Sequence, residues 1–403
     1  MFNLLLKIPL PIGRTVRDST TQLGSLQNPL FFRFISSKSP RDQIQNDFVV
    51  SYLISSCGFS PTAAISASRK ISFLTAARPD TNLTLFRNHG FTEKQISMLI
   101  RKCPALLVAK PTETLLPKLE YFYSVGVQNS DLAKILSRDP GVLFSSLENQ
   151  IIPSFIFFKS LVGTVENVVI ALKRQTRFLK CNMQNLAQNV ATLRENGVPE
   201  SNILTLLTYY PKTVTPKNDR FKQRVGEIKQ MGFDPSRSPF VIALVGFSSM
   251  NKSTWKQKLE AFGSWGLSED DTVSAFKKYP WCMMLSEKKI RAQMDFFLNK
   301  MGWELADVTR SPQILGFSLE KRLIPRCSVL RVLQLKGLVE RDHSIGSVLI
   351  KSDKSFMEKF VTKYEKEVPQ LLDVYKGKIG LPELGYGSDE VSRRKLIVKI
   401  LNF

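Results

Sequence analysis

Nine glycines set the terms for this chain. Gly58, Gly90, Gly126, Gly163, Gly197, Gly232, Gly266, Gly302 and Gly337 recur 32 to 37 residues apart, with a mean near 35. A fixed period of this length marks a repeat architecture, in which each unit is one supersecondary element. Most of the glycines are followed by an apolar residue, such as Phe59, Phe91, Val127, Val198 or Phe233. Four are followed fourteen residues later by a proline: Pro104, Pro140, Pro211 and Pro280. Between glycine and proline, apolar residues fall at the sixth, ninth and tenth places, as in Ile96, Leu99, Ile100 and in Leu132, Ile135, Leu136. That is the one-sided stripe of a short helix. Thr92 with Gln95, and Ser268 with Asp271, have the spacing of capping boxes at its start. The proline ends it by pushing the preceding residue out of helical geometry. A second amphipathic stretch, Leu115 to Tyr123 for example, runs to the next glycine, which closes it in a left-handed cap.

The pattern predicts two helices per unit and an all-α chain. A helix pair cannot bury its stripe alone, so the units must stack into a curved superhelical solenoid, here of about eight repeats. The register lapses in places. Arg177 and Gly246 stand where a proline is expected, and Pro312 follows Gly302 by only ten residues. These read as divergence, and the weak patterns around Gly58 and Gly337 read as capping units. The signature residues of tetratricopeptide and ankyrin units are absent, and the variable spacing disfavours a pentatricopeptide array.

The best single unit runs from Gly90-Phe91-Thr92 through Cys103-Pro104-Ala105-Leu106-Leu107 to Leu116-Pro117-Lys118-Leu119. Ile152-Pro153-Ser154-Phe155 and Ile324-Pro325-Arg326 echo its second half, and Val368-Pro369-Gln370-Leu371-Leu372 is similar to a closing segment of plant members. This pattern resembles the mitochondrial transcription termination factor (mTERF) family across roughly residues 48 to 380. The resemblance implies an all-α half-doughnut superhelix that binds double-stranded nucleic acid and regulates organellar gene expression, transcription termination included.

Charge agrees with such a partner. The 403 residues hold 57 Lys and Arg against 35 Asp and Glu, a formal net charge of +22. That surplus favours a polyanion. Residues 1–41 hold six basic residues, one acid and eight Ser or Thr, the composition of an organelle transit peptide. Mitochondrial import fits Arg33-Phe34-Ile35-Ser36, with the chloroplast as the alternative. The expected organisation is a leader over 1–41, a repeat array over 42–340, and capping helices with a tail over 341–403. A surplus of fourteen positive charges falls between leader and tail.

Within the array the basic residues cluster. Lys173, Arg174, Arg177 and Lys180 form one group; Lys212, Lys217, Arg220, Lys222 and Arg224 follow Pro211; Lys277, Lys278, Lys288, Lys289 and Arg291 flank Pro280; Arg322, Arg326 and Arg331 run along the last well-formed unit. At equivalent steps of successive units they would form a stripe able to track phosphates. Phe178, Tyr209, Tyr210, Phe221, Tyr279 and Trp281 adjoin them and offer faces for extruded bases, although Tyr210 falls on the apolar side of its helix.

Chemistry of the chain's own finds no constellation. Five scattered cysteines form no C-x-x-C pair, and two histidines, His89 and His343, stand far apart. Gly246 to Ser253 nearly matches a phosphate-binding loop, but Asn251 replaces its second glycine. No apolar run reaches the roughly 18 to 20 residues of a membrane helix. The expectation is therefore a non-enzymatic monomer with no metal or cofactor. Its partners would be organellar double-stranded DNA or structured RNA, and the organellar transcription machinery. RNA binding for intron splicing or ribosome assembly, and a protein-binding scaffold, are the alternatives.

Overall fold

The computed structural model describes residues 40–340 and 345–379, and among them every regular element is helical. The leader expected over 1–41 lies outside the described residues except for Pro40 and Arg41, which open the helix Pro40–Cys57. Residues 380–403 of the expected tail also lie outside.

The unit at Gly90 shows how the sequence builds each step. Thr92 Oγ1 accepts from the Gln95 N–H at 3.3 Å and Gln95 Oε1 accepts from the Thr92 N–H at 2.9 Å, so two orphan donors at the start of helix Glu93–Lys102 are satisfied. Ile96, Leu99 and Ile100 are buried along one side. Cys103, ahead of Pro104, leaves helical geometry at φ −143° and ψ 77°. A tight 3-10 turn, Pro104–Leu107, then buries Leu106 and Leu107. The second helix ends at Ser124, and the chain reverses at Gly126 with φ +93°. A side chain there would sit in the left-handed region, which only glycine adopts freely. All nine periodic glycines have φ between +66° and +94°.

The Leu-Pro or Ile-Pro pair in the second helix has a structural role that spacing alone did not reveal. Proline lacks an N–H and its ring collides with the carbonyl four residues back. The turn before Pro117, Pro153 and Pro325 is widened accordingly: Leu116, Ile152 and Ile324 donate to the carbonyls of Pro111, Leu147 and Leu319, five residues back.

The register lapses also resolve. Thr176–Lys180 makes the tight turn without its proline. Pro312 opens a genuine turn, Pro312–Gly316, after a first helix shortened to Leu305–Arg310. Gly246 differs: the helix Ser238–Ser249 runs straight through its position, and the unit at Gly232 has no turn. Gly246 faces the following turn, Pro280–Met284, where a Cβ would meet the Met284 side chain at 3.4 Å, an ordinary contact. That helix also replaces the strand that a phosphate-binding loop would require.

First helices pack in chain order: Glu93–Lys102 on Asn129–Arg138, that on Val165–Arg174, then Glu200–Tyr209, Ser238–Ser249, Glu269–Lys278 and Leu305–Arg310. One apolar core runs beneath them from Val49 to Val374. Directed bonds add to it. Eight residues before Gly90, buried Asn82 donates to the carbonyls of Leu106, Leu107 and Ala109 at 2.9, 3.0 and 2.9 Å, closing the end of the next unit's turn. Asn189, eight before Gly197, does the same to Val214 and Pro216 at 2.9 and 2.8 Å. Gln293 donates to Phe317 at 2.7 Å. Removing such an amide strands buried carbonyls, so Asn82→Ala is expected to lower stability by about 2–3 kcal/mol. Urea unfolding of the single variant checks this, and an unchanged midpoint would remove the bond from this role.

Candidate nucleic-acid interface

A cation becomes a phosphate ligand only if the fold has not already committed it, and the structure sorts the seventeen candidates on that basis. Cations belong in the last turn of a helix, where free carbonyls concentrate negative charge. Several first helices end this way: Arg101 and Lys102, Arg138, Lys173 and Arg174, Lys277 and Lys278, Arg310. Five of these, Arg101 included through the Gly58 carbonyl at 2.7 Å, form ties between neighbouring units. Lys102 Nζ donates to the Arg138 carbonyl at 2.7 Å, Arg138 to the Lys173 carbonyl, and Lys278 to the Thr309 carbonyl at 3.1 Å. Lys173 pairs back with Asp131 at 2.6 Å.

Other candidates are committed too. Lys180 lies 3.8 Å from Asp139, Lys289 donates to the Gly316 carbonyl at 2.7 Å, and Arg291 reaches Ser264 Oγ at 3.3 Å. Burial lowers the pKa of the Lys289 ammonium. Arg331 donates to the Lys300 carbonyl at 3.4 Å. Arg322 stacks 4.0 Å over the Phe317 ring and donates to the carbonyls of Leu349, Ile350 and Lys351. Arg326 is 0 % exposed. It donates to Leu349 and Lys351 at 2.8 and 2.6 Å, pairs with Asp353 and lies 4.7 Å over Phe356. Both arginines therefore cap the end of helix Ile345–Ile350 and fasten the C-terminal helices. Such a place is not open to a ligand.

The remaining nine side chains, Arg174, Arg177, Lys212, Lys217, Arg220, Lys222, Arg224, Lys277 and Lys288, make no hydrogen bond or ion pair among the described residues. Seven of them fall between residues 174 and 224, where nine Lys and Arg face three Asp and Glu. Arg174 ends its first helix, Arg177 projects from the turn Thr176–Lys180, and Lys212 projects from the short turn Pro211–Val214, which packs against it. Lys217 precedes helix Asn218–Gln230, and Arg220, Lys222 and Arg224 lie along it. Seven of the nine uncommitted candidates thus fall in the middle of the array. Lys222 also lines, with Lys229 and Glu195, an open groove of about 400 Å³.

The aromatic neighbours divide differently from expectation. Phe178 stacks on Phe158 with centroids 3.9 Å apart, and Phe221 is wholly buried, so neither face is free for a base. Tyr210 packs on Trp281 at 5.9 Å, bridging turns on either side of the unit that has none. Tyr209 is exposed beside Lys212 in sequence. Among the described residues no three His, Cys, Asp or Glu side chains converge as metal ligands, and no single helix is long and apolar enough to cross a membrane.

Glycine-closed helix pairs, proline-led turns and a cationic middle define an all-α helical-repeat protein. The mTERF family model matches residues 83–246 and 239–357, and the chain belongs to the mTERF family. It is 22% identical over 278 residues to the chloroplastic transcription termination factor MTERF8 of Arabidopsis thaliana, covering 58% of this chain and 54% of that one. It is 20% identical over 317 residues to the mitochondrial transcription termination factor MTERF15 of the same plant, covering 77% and 63%. With the mitochondrial transcription termination factor MTEF18 it shares 21% over 311 residues, or 71% and 54%. The chain thus spans between half and two thirds of the length of these relatives.

Proposed function

We propose that this chain is an organellar nucleic-acid-binding protein that regulates transcription, termination included, by occupying double-stranded DNA. The observation that carries the reading is the segment between Arg174 and Arg224, where nine Lys and Arg face three Asp and Glu and seven of the cations make no hydrogen bond or ion pair among the described residues. Its membership of the mTERF family, and relatives named as transcription termination factors of mitochondria and chloroplasts, support it. The mechanism is positional. Lysines and arginines neutralise phosphates along a curved surface and hold the protein on the duplex, while a few arginines read base edges. Bound there, the protein obstructs or recruits the organellar polymerase without chemistry of its own. Import into mitochondria, with the chloroplast as the other destination, follows from the basic, hydroxyl-rich residues 1–41.

Titration of the chain against duplex DNA, folded RNA and single strands, at several salt concentrations, tests this. The expected result is tightest binding to duplex DNA, with affinity falling steeply as salt rises. Preference for folded RNA would move the function to RNA processing. Weak, salt-insensitive binding to all three would identify a protein scaffold.

A further inference from the structure

Exposed apolar side chains collect at the N-terminal end of the array. Among the described residues twelve large apolar side chains are exposed. Five of them, Ile44, Phe48, Ile54, Ile65 and Leu74, fall within the first helices, and the other seven are scattered from Met98 to Ile350. Single exposed apolar residues are ordinary, but a contiguous group marks a contact surface. Three of the five run together. Ile44 and Phe48 stand one turn apart on helix Pro40–Cys57, the Phe48 ring meets that of Phe73 edge-on at 5.9 Å, and Leu74 follows Phe73. Ile44 and Leu74 are 72 % and 66 % exposed, so they project from the surface rather than line a groove.

Beside this group lies an open cleft of about 360 Å³, between the same helix and the segment that follows helix Pro61–Ser68. Gln45 donates to Ser72, and Ser68 donates to Asn46 at 2.8 Å, which holds the two walls together. Arg69 and Lys70 border the cleft, and their side chains make no hydrogen bond or ion pair among the described residues. Over residues 44–79 the cations are Arg69, Lys70 and Arg78, against the single carboxylate of Asp47. Projecting apolar tips thus adjoin a polar, cation-bordered cleft of a size for phosphate. Charge disfavours the occupants nearest at hand: residues 1–39 are themselves basic, and a second copy of a chain carrying +22 is repelled. We propose that this end of the array docks on an anionic phospholipid surface. Ile44, Phe48 and Leu74 enter the acyl boundary, and Arg69 and Lys70 receive headgroup phosphates at the cleft. The contact lies on a membrane and does not span it, since no single helix among the described residues is long and apolar enough to cross. It draws on none of the cations between Arg174 and Arg224, so it stands apart from the nucleic-acid reading.

The test presents the full chain with vesicles of phosphatidylcholine alone and of phosphatidylcholine with phosphatidylserine. Sedimentation with the vesicles reads affinity. Hydrogen exchange reads place, which matters because other cations of so basic a chain are also drawn to anionic lipid. Phosphatidylserine vesicles should slow exchange across residues 44–79. Arg69→Gln with Lys70→Gln should weaken vesicle affinity by roughly thirtyfold, about fivefold for each charge. Ile44→Ser with Leu74→Ser should weaken it by roughly ten- to a hundredfold and abolish the local slowing. Both pairs are exposed, so the melting temperature and the affinity for duplex DNA should stay at the wild-type values. Exchange over 44–79 that vesicles leave unchanged, or slow equally in the serine variant, would overturn the proposal. Equal slowing by phosphatidylcholine alone would overturn the headgroup assignment. A wild-type dimer in light scattering that the serine variant dissolves would make the surface a contact between copies. Loss of duplex affinity in the glutamine variant would give the cleft to nucleic acid, and either result would overturn the lipid as its occupant. Failure of the wild type to bind any nucleic acid would remove the function above and leave this surface standing.

Discussion

Arg326→Ala should lower the stability of the chain by about 3–5 kcal/mol, the scale seen when one member of a buried, hydrogen-bonded charge set is removed. The guanidinium is wholly enclosed and satisfies the carbonyls of Leu349 and Lys351, the carboxylate of Asp353 and the face of Phe356 together. Alanine leaves those carbonyls dry and a void beneath the ring. The loss should begin at the C-terminal helices, so limited proteolysis beyond residue 345 should accelerate before the array yields. Arg326→Lys keeps the charge but not the planar fork and should recover only part of the stability. A urea midpoint in Arg326→Ala equal to that of the wild type would contradict the fastening role.

Replacing Arg174, Arg177, Lys212, Lys217 and Lys222 by glutamine in one chain should have the opposite signature. Their side chains hold nothing else in the described structure, so thermal unfolding should change little. Duplex affinity should fall by roughly a hundredfold or more, and the salt slope should lose roughly four. The matching variant Lys173→Gln, Lys180→Gln, Lys278→Gln removes cations already tied to Asp131, Asp139 and the Thr309 carbonyl. It should weaken the fold more and binding less. Equal losses of affinity in the two variants would show that the fold's commitments do not sort the charges.

The helices were legible because glycine and proline act locally. A positive φ at Gly126 and a ring at Pro104 impose themselves whatever surrounds them. Thr92–Gln95 and Ser268–Asp271 form their boxes for the same reason. What stayed hidden depends on neighbours about 25 to 35 residues away. Nothing local distinguishes Arg326, which is enclosed, from Arg177, which faces water. The difference lies in the carbonyls that the next unit brings to Arg326. Counting back eight places from the glycine joins Asn82 to Asn189, but the same count elsewhere reaches Lys118, Phe155 and Met294, so that register alone does not reveal which side chains tie the units. Thr176–Lys180 shows the limit of proline as a marker, since close packing on adjacent turns shapes that segment without it.

The unbroken helix Ser238–Ser249 has a mechanical consequence. Elsewhere, amides and helix-end cations fix the register of one unit against the next through bonds that tolerate little sliding. Around this helix such ties are sparser among the described residues, Ser238 Oγ donating to Asn202 Oδ1 at 3.3 Å, and Phe240, Val241, Ala243, Leu244 and Val245 hold it largely by oily contact, which has no preferred direction. Sliding at this joint therefore breaks fewer directed bonds than elsewhere in the array, as a spring gives at its thinnest coil.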